Sequence, residues 1–439
     1  MPSLKEKLNK KIGSNRMNAI DLKRSLHDGA LERYAPLYDN VRAEADRLIR
    51  AIDKFGELYG KDRELYVLSV PGRSEICGNH TDHNNGAVLA GAINRDIIAI
   101  VAKNDDNVVR FSSEGYDTAE VSLMDVTSPD RFEKYTSASL IAGVANAFRE
   151  HGLDIGGFDA YSNTEVLKGS GISSSAAYEV MIGNILNYVY NGGRVDNKEI
   201  AKFSQYAENV YFGKPCGLMD QMACAVGGFV YINFKNADAP VVEPIDFLLS
   251  NADYALCIVN TGGNHANLND DYASIPAEMR AVARALGRSV LCEIGEEEIV
   301  RAIPTLRTTV GDRAILRAIH FVRENERVEA ARTALKGGDF DAFLNVISSS
   351  GASSFKYLQN VYTNANVEEQ GLALALALTE GFLAGRGACR VHGGGFAGTI
   401  QVFLPKALLK EYCEYMDAAF GKGAAMPLFI RPVGATRLF

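Results

Sequence analysis

The chain has no CxxC pair, no HxxxH pattern and no apolar run of the roughly 18 residues a membrane-spanning helix requires. Its seven cysteines, Cys77, Cys216, Cys224, Cys257, Cys292, Cys389 and Cys413, are odd in number and widely spaced. That argues against a disulfide framework or a zinc site and for reduced thiols. Charge of one sign is also lacking. Against 54 acidic side chains stand 46 basic ones, a net charge of −8, which gives no reason to expect nucleic acid or an anionic membrane as partner. The opening MPSLKEKLNKKIG is polar and holds no apolar segment of the kind a signal peptide needs, so the expected location is the cytoplasm. Internal repeats, low-complexity segments and the GxxxxGK[ST] phosphate loop are absent too. What is present is ordinary globular composition, 47% hydrophobic and 23% charged over 439 residues, enough for two or three domains.

Apolar residues at Tyr34, Leu37, Tyr38, Val41, Ala45, Leu48, Ile52 and Phe55 step by three and four, which predicts a packing helix within 17–60. Strands are predicted at 64–70, 96–103, 108–113, 157–163, 227–234, from Asp253 onward, at 399–404 and at 427–433. Helices are predicted at 137–150, after a Gly/Ser loop at 169–175, at about 196–211, between 274 and 385, and near 405–420. Mixed strands and helices in each half suggest two α+β domains, with the polar stretch 235–252 as the boundary.

Three stretches carry chemistry. KGSGISSSAA (168–177) has glycines that let the backbone approach an anion, then serines leading into a helix whose first N–H groups favour phosphate. Alone, it reads equally well as a flexible connection. PGRSEICGNHTDHNNG (71–86) reads as a loop after a strand, dense in side chains that match vicinal hydroxyls. In it Asn84 and Asn85 are better explained as turn formers. PCGLMDQMACAVGG (215–228) isolates Asp220 among small and apolar residues, either as a buried structural acid or as a base. RVHGGGFAG (390–398) adds a glycine-rich turn.

In this order the four stretches resemble the galactokinase family of the GHMP kinase superfamily, over roughly residues 65 to 404, with HTD at 80–82 as the element specific to galactokinase-like members. The resemblance implies an α+β, two-domain GHMP kinase fold. An N-terminal domain of mixed sheet and helices (61–245) meets a ferredoxin-like C-terminal domain (246–439) at the active-site cleft. Residues 1–60 form a helical extension packed on the first domain. It implies transfer of the ATP γ-phosphate to the C1 hydroxyl of galactose, with Mg²⁺. Asp220 matches the catalytic aspartate and Arg73 the arginine beside it. Ser175 and Glu208 match the metal-holding positions. Gly169, Ser170, Gly171, Ser173, Ser174 and Ser175 would cradle the ATP phosphates. Asn79, His80, Asp82, Gly217 and Tyr272 would bind the sugar. The expected partners are the sugar and ATP, with no nucleic acid or membrane, on a monomer.

The chain departs from the usual family loop GEHTDY. Asn79 stands where the family has a sugar-contacting glutamate, and His83 where it has tyrosine. GGGFAG carries alanine where many members have glycine, and in NTGGNHAN (260–267) Asn264 replaces an arginine often found there. These changes touch the sugar end and leave the phosphoryl-transfer parts intact. A kinase for N-acetylgalactosamine or arabinose, or a silent sugar and ATP sensor, are the alternatives; the complete SSSAA with Arg73, Glu208 and Asp220 favours an enzyme.

Overall fold

A computed structural model of the chain describes residues 17–166, 171–237, 239–263 and 268–439. The periodic N-terminal segment forms not one helix but two, α1 (Ala19–His27) and α2 (Val41–Tyr59), joined by a 3₁₀ stretch at Ala30–Leu37. Asn18 and Asn40 cap the two helices by accepting from backbone N–H groups, which starts a new helix at Val41 although the apolar periodicity runs on through it.

The first sheet has eight strands: β1 (Tyr66–Cys77), β2 (Ala87–Lys103), β3 (Val108–Ser113), β4 (Ala119–Ser122), β5 (Phe158–Thr164), β6 (Phe229–Asn233), β7 (Val241–Ile245) and, from the far end of the chain, β12 (Thr436–Arg437). Their order is β12-β1-β2-β5-β3-β4, with β6 on β2 and β7 on β6. Only the β3–β5 pairing is parallel. β2 is shared lengthwise: its first half pairs with β6 and its second with β5. β1 is buried throughout and β2 nearly so, as expected of strands covered on both faces. One face lies under α1, α2 and the chain's last residues; the other lies under α3 (Ser137–Glu150), α4 (Ser174–Tyr190), α5 (Asn197–Tyr206) and α6 (Met219–Val226).

The second sheet is antiparallel, β11-β8-β10-β9, from β8 (Tyr254–Asn260), β9 (Ala388–His392), β10 (Thr399–Pro405) and β11 (Ala425–Leu428). Four helices, α7 (Asn269–Ala285), α8 (Glu296–Thr309), α9 (Asp312–Gly337) and α10 (Phe340–Ser353), fill the interval before α11 (Gly371–Leu383), and α12 (Leu409–Phe420) follows β10.

Three expectations are corrected. PGRSEIC is strand, not loop. The ladder between β1 and β2 shifts register between Pro71 and Arg73 and again between Glu75 and Cys77, so irregular backbone is absorbed without ending the strand. The polar stretch 235–252 is not only a linker, since it contains β7 of the first sheet. The strand expected at 427–433 ends at Leu428. Beyond it the chain crosses back to the first sheet, where Ile430 bridges Ile93 and Leu438 donates its N–H to Val67.

Candidate active site

The site forms where β1 runs between the start of α4, the start of α6 and the β9–β10 hairpin. Gly72 lies so close to the α4 loop that an added Cβ would stand 2.7 Å from the Ile172 carbonyl oxygen. Glycine there is what lets the strand and the Gly/Ser loop touch, and the Arg73 N–H then donates to that same carbonyl.

Arg73 and Asp220, 147 residues apart in sequence, form a two-pronged ion pair. Nε donates to Oδ1 at 2.7 Å and Nη2 to Oδ2 at 2.9 Å. Arg73 Nη1 donates to the Gly171 carbonyl, and the Ser173 hydroxyl donates to Asp220 Oδ2. Burial by itself would raise the Asp220 carboxyl; the Arg73 charge and hydrogen bonds, with Ser173, outweigh it and hold the group below the usual carboxylate range. The Asp220 side chain is still one-third exposed, so it remains open to a ligand.

Ser173 sits in the left-handed region, φ 61° and ψ 63°, immediately before α4, and makes no capping hydrogen bond to the helix. A serine in that conformation costs roughly 1–2 kcal/mol. It leaves the first N–H groups of a 17-residue helix without a side-chain cap and turns the Ser173 hydroxyl to Asp220. Ser174 and Ser175 lie in the first turn. Gly169 and Ser170, expected in the phosphate cradle, fall outside the described residues, as does Asn264.

The helix predicted at 196–211 is α5 followed by a wider π-type turn at Ala207–Phe212, which brings Glu208 to Ser175 with Oγ and Oε1 3.4 Å apart. One hydroxyl and one carboxylate suit Mg²⁺, which keeps much of its octahedral shell for phosphate oxygens and water. Lys214 pairs with the same carboxylate at 3.3 Å from a flexible, largely exposed side chain. Among the described residues no group of three or more His, Cys, Asp or Glu side chains is placed to hold a metal, so a metal here would rely on the nucleotide as well.

Two participants escaped the sequence reading. Gln221 donates from Nε2 to Glu208 at 2.8 Å and to Glu179 at 3.0 Å, tying two carboxylates together. Glu179 is fully buried, and its carboxyl is pushed well up by that burial and then by the Glu208 charge. The available signals were weak: Gln221 directly follows Asp220, and Glu179 lies one helical turn from Ser175.

At the sugar end, Asp82 abuts Gly217, where an added Cβ would stand 2.7 Å from Asp82 Oδ2. Glycine at 217 therefore leaves the Asp82 carboxylate its place. His80 donates from Nε2 to the Gly394 carbonyl at 2.9 Å, which fixes its tautomer and leaves Nδ1 a buried acceptor with no partner among the described residues. Burial lowers its pKa to about 3, so the ring is neutral. Tyr272 reaches the same glycine turn, donating to Gly395 O at 2.8 Å with its ring against Gly394. His83, at the loop's surface, lies 5.7 Å from His80 between ring centres.

Asn79 is corrected. Its side chain is wholly buried, and its amide is saturated: Nδ2 donates to Glu75 Oε1 and Gly393 O, while Oδ1 accepts from Asn360 and Ser354. No donor or acceptor is left for a sugar. Asn79 instead anchors the loop to the β9–β10 hairpin.

Known proteins resemble the chain in sequence and in fold. Residues 139–228 match the model of the GHMP kinases N terminal domain, and residues 53–103 the galactokinase galactose-binding signature. The chain is 31% identical to a galactokinase of Streptomyces coelicolor over 88% of its own length and 97% of the relative's. It is 29% identical to one of Clostridium tetani, covering 84% and 91% of the two chains. Among solved structures it superimposes on a Lactococcus lactis galactokinase complexed with galactose with a TM-score of 0.72 at 23% identity, covering 88% and 98%. A mevalonate kinase superimposes with a TM-score of 0.58 at 13% identity, covering 84% and 99%. On its sequence match along nearly the whole of a curated relative, the chain belongs to the galactokinase family of the GHMP kinases.

Proposed function

We propose that the protein transfers the γ-phosphoryl group of ATP to the C1 hydroxyl of galactose, giving galactose 1-phosphate and ADP. The observation that carries this reading is Asp220, ionised by Arg73, standing between the start of α4 and the Asp82–Gly217 contact.

Asp220 receives the proton of the C1 hydroxyl, or aligns it, while that oxygen forms its bond to the γ-phosphorus. The bond from phosphorus to the β–γ bridging oxygen breaks, and its electron pair leaves with ADP. Arg73 keeps Asp220 charged and offsets charge on the transferring group. The α4 N-terminus, with Gly171, Ser173, Ser174 and Ser175, faces the phosphates. Ser175 and Glu208 would hold Mg²⁺, which supplies charge neutralisation on the phosphate oxygens. Asp82 presents its carboxylate to ring hydroxyls, and His80, tied to the Gly394 carbonyl, steadies the loop that carries it. All these residues come from one chain, so a monomer suffices, and a supply of ATP fits the cytoplasm.

The test is a panel of galactose, N-acetylgalactosamine, arabinose, glucose and mevalonate with Mg-ATP, following ADP release. Galactose is expected to turn over fastest, and glucose poorly, because a misplaced hydroxyl leaves buried acceptors unpaired. Phosphorylation of none of them would sink the enzyme reading in favour of a sensor.

A further inference from the structure

With Asn79 saturated, the sugar loop lacks the second carboxylate expected of it. Four residues earlier, on the irregular part of β1, stands Glu75. Its Oε1 is fully used, accepting from Arg390 Nη2 and from Asn79 Nδ2, each at 3.0 Å. Its Oε2 accepts no hydrogen bond from any described residue, and the side chain keeps 7% exposure. Arg390 is itself fully buried and donates its other terminal nitrogen to Ile76 O, so Glu75 is held from behind by a rigid cation. Arg73 and Asp82 are its other charged neighbours, one at each end of the cleft already described. A fixed carboxylate with one oxygen committed and the other open is a built acceptor for a hydroxyl.

Resting on the sugar-kinase reading, we propose that Glu75 Oε2 accepts a hydrogen bond from a hydroxyl of the bound sugar and helps decide which sugar is taken. The pair works as an exchange: the carboxylate sits at 75 and the amide at 79, and the amide positions the carboxylate. An acid placed at 79 would set an oxygen against Glu75 Oε1 and the Gly393 carbonyl, a repulsive arrangement that the amide avoids.

The test compares wild type with Glu75→Gln on galactose and on the monodeoxygalactoses that keep the C1 hydroxyl. For galactose kcat/KM is expected to fall about 10–100-fold, the value of a hydrogen bond to a charged group. One monodeoxy sugar should be used equally by both enzymes, because it lacks the hydroxyl that Glu75 reads. A fall by the same factor for every sugar would overturn the proposal and leave Glu75 as a counter-ion of Arg390. Should Glu75→Gln fail to fold, a wild-type crystal structure with galactose decides. A sugar oxygen within about 3.2 Å of Oε2 supports the proposal; a sugar bound to Asn79, with Oε2 on water, overturns it. If the wild type phosphorylates no galactose, the proposed function fails instead, and separately.

Discussion

Asp220 is asked to be charged in a place that disfavours charge, and Arg73 is the reason it can be. Burial pulls its pKa up; the ion pair and Ser173 pull it down further. Asp220→Asn should lower kcat about 10²–10⁴-fold while leaving the nucleotide Kd within a few-fold, read by single-turnover kinetics and titration calorimetry. Because the active form is the ionised one, kcat/KM should stay flat as pH falls until it passes below the ordinary carboxylate range. Arg73→Leu leaves burial unopposed and should move that acidic limb upward; an unmoved limb would show that Arg73 does not set the charge. His392, buried between Ser74 and Thr399, has its pKa lowered to about 3 by burial and then by Arg73 and Arg390. The unfolded chain takes up that proton first, near pH 6.5, so the stability tied to this neutral ring is complete above about pH 6.5 and is lost as pH falls toward 3. His392→Gln should flatten the fall of the denaturant midpoint between those limits. At this scale the sequence was readable where chemistry is crowded into short stretches, as in HTD, SSSAA and MDQ. Glu179 was not readable, because its contact is with Gln221, 42 residues away.

Elements were legible by periodicity and misread where backbone irregularity is the functional feature. α3 lies where its apolar pattern and its Thr136 cap place it. β1 was cut short at Pro71 and Gly72, where its ladder with β2 shifts register just before Arg73. The π-type turn that presents Glu208 has no sequence signature beyond its helix. α2 is held to the sheet by Arg47, which donates to Asp96 Oδ1 at 2.7 Å and to the Asn163 carbonyl at 3.0 Å. Arg47→Ala removes one partner of a buried ion pair and should cost about 3–5 kcal/mol, measured by chemical denaturation. A loss below about 1 kcal/mol would mean that α2 is only laid on the sheet and not pinned to it.

The whole molecule is closed by its own C-terminus. The fully buried Arg431 donates to Asp96 Oδ2 at 3.0 Å from the side opposite Arg47, and Val67 exchanges hydrogen bonds with Leu438 and Phe439. Removing residues 430–439 should therefore unfold the N-terminal sheet, not the nearby second sheet, as judged by amide exchange; selective loss of protection in β8–β11 would contradict this closure. Between the two sheets, the hairpin glycines at 393–395 grip Asn79, His80 and Tyr272, which ties the sugar end of the cleft to both halves. The central claim is a phosphoryl group placed on the anomeric oxygen by Asp220. The most direct measurement is the ³¹P NMR spectrum of the product formed from galactose and Mg-ATP. The account predicts a phosphate resonance split by the anomeric proton, formed by wild type and not by Asp220→Asn. A phosphate coupled to the C6 protons, or the same product formed at full rate by Asp220→Asn, would contradict it.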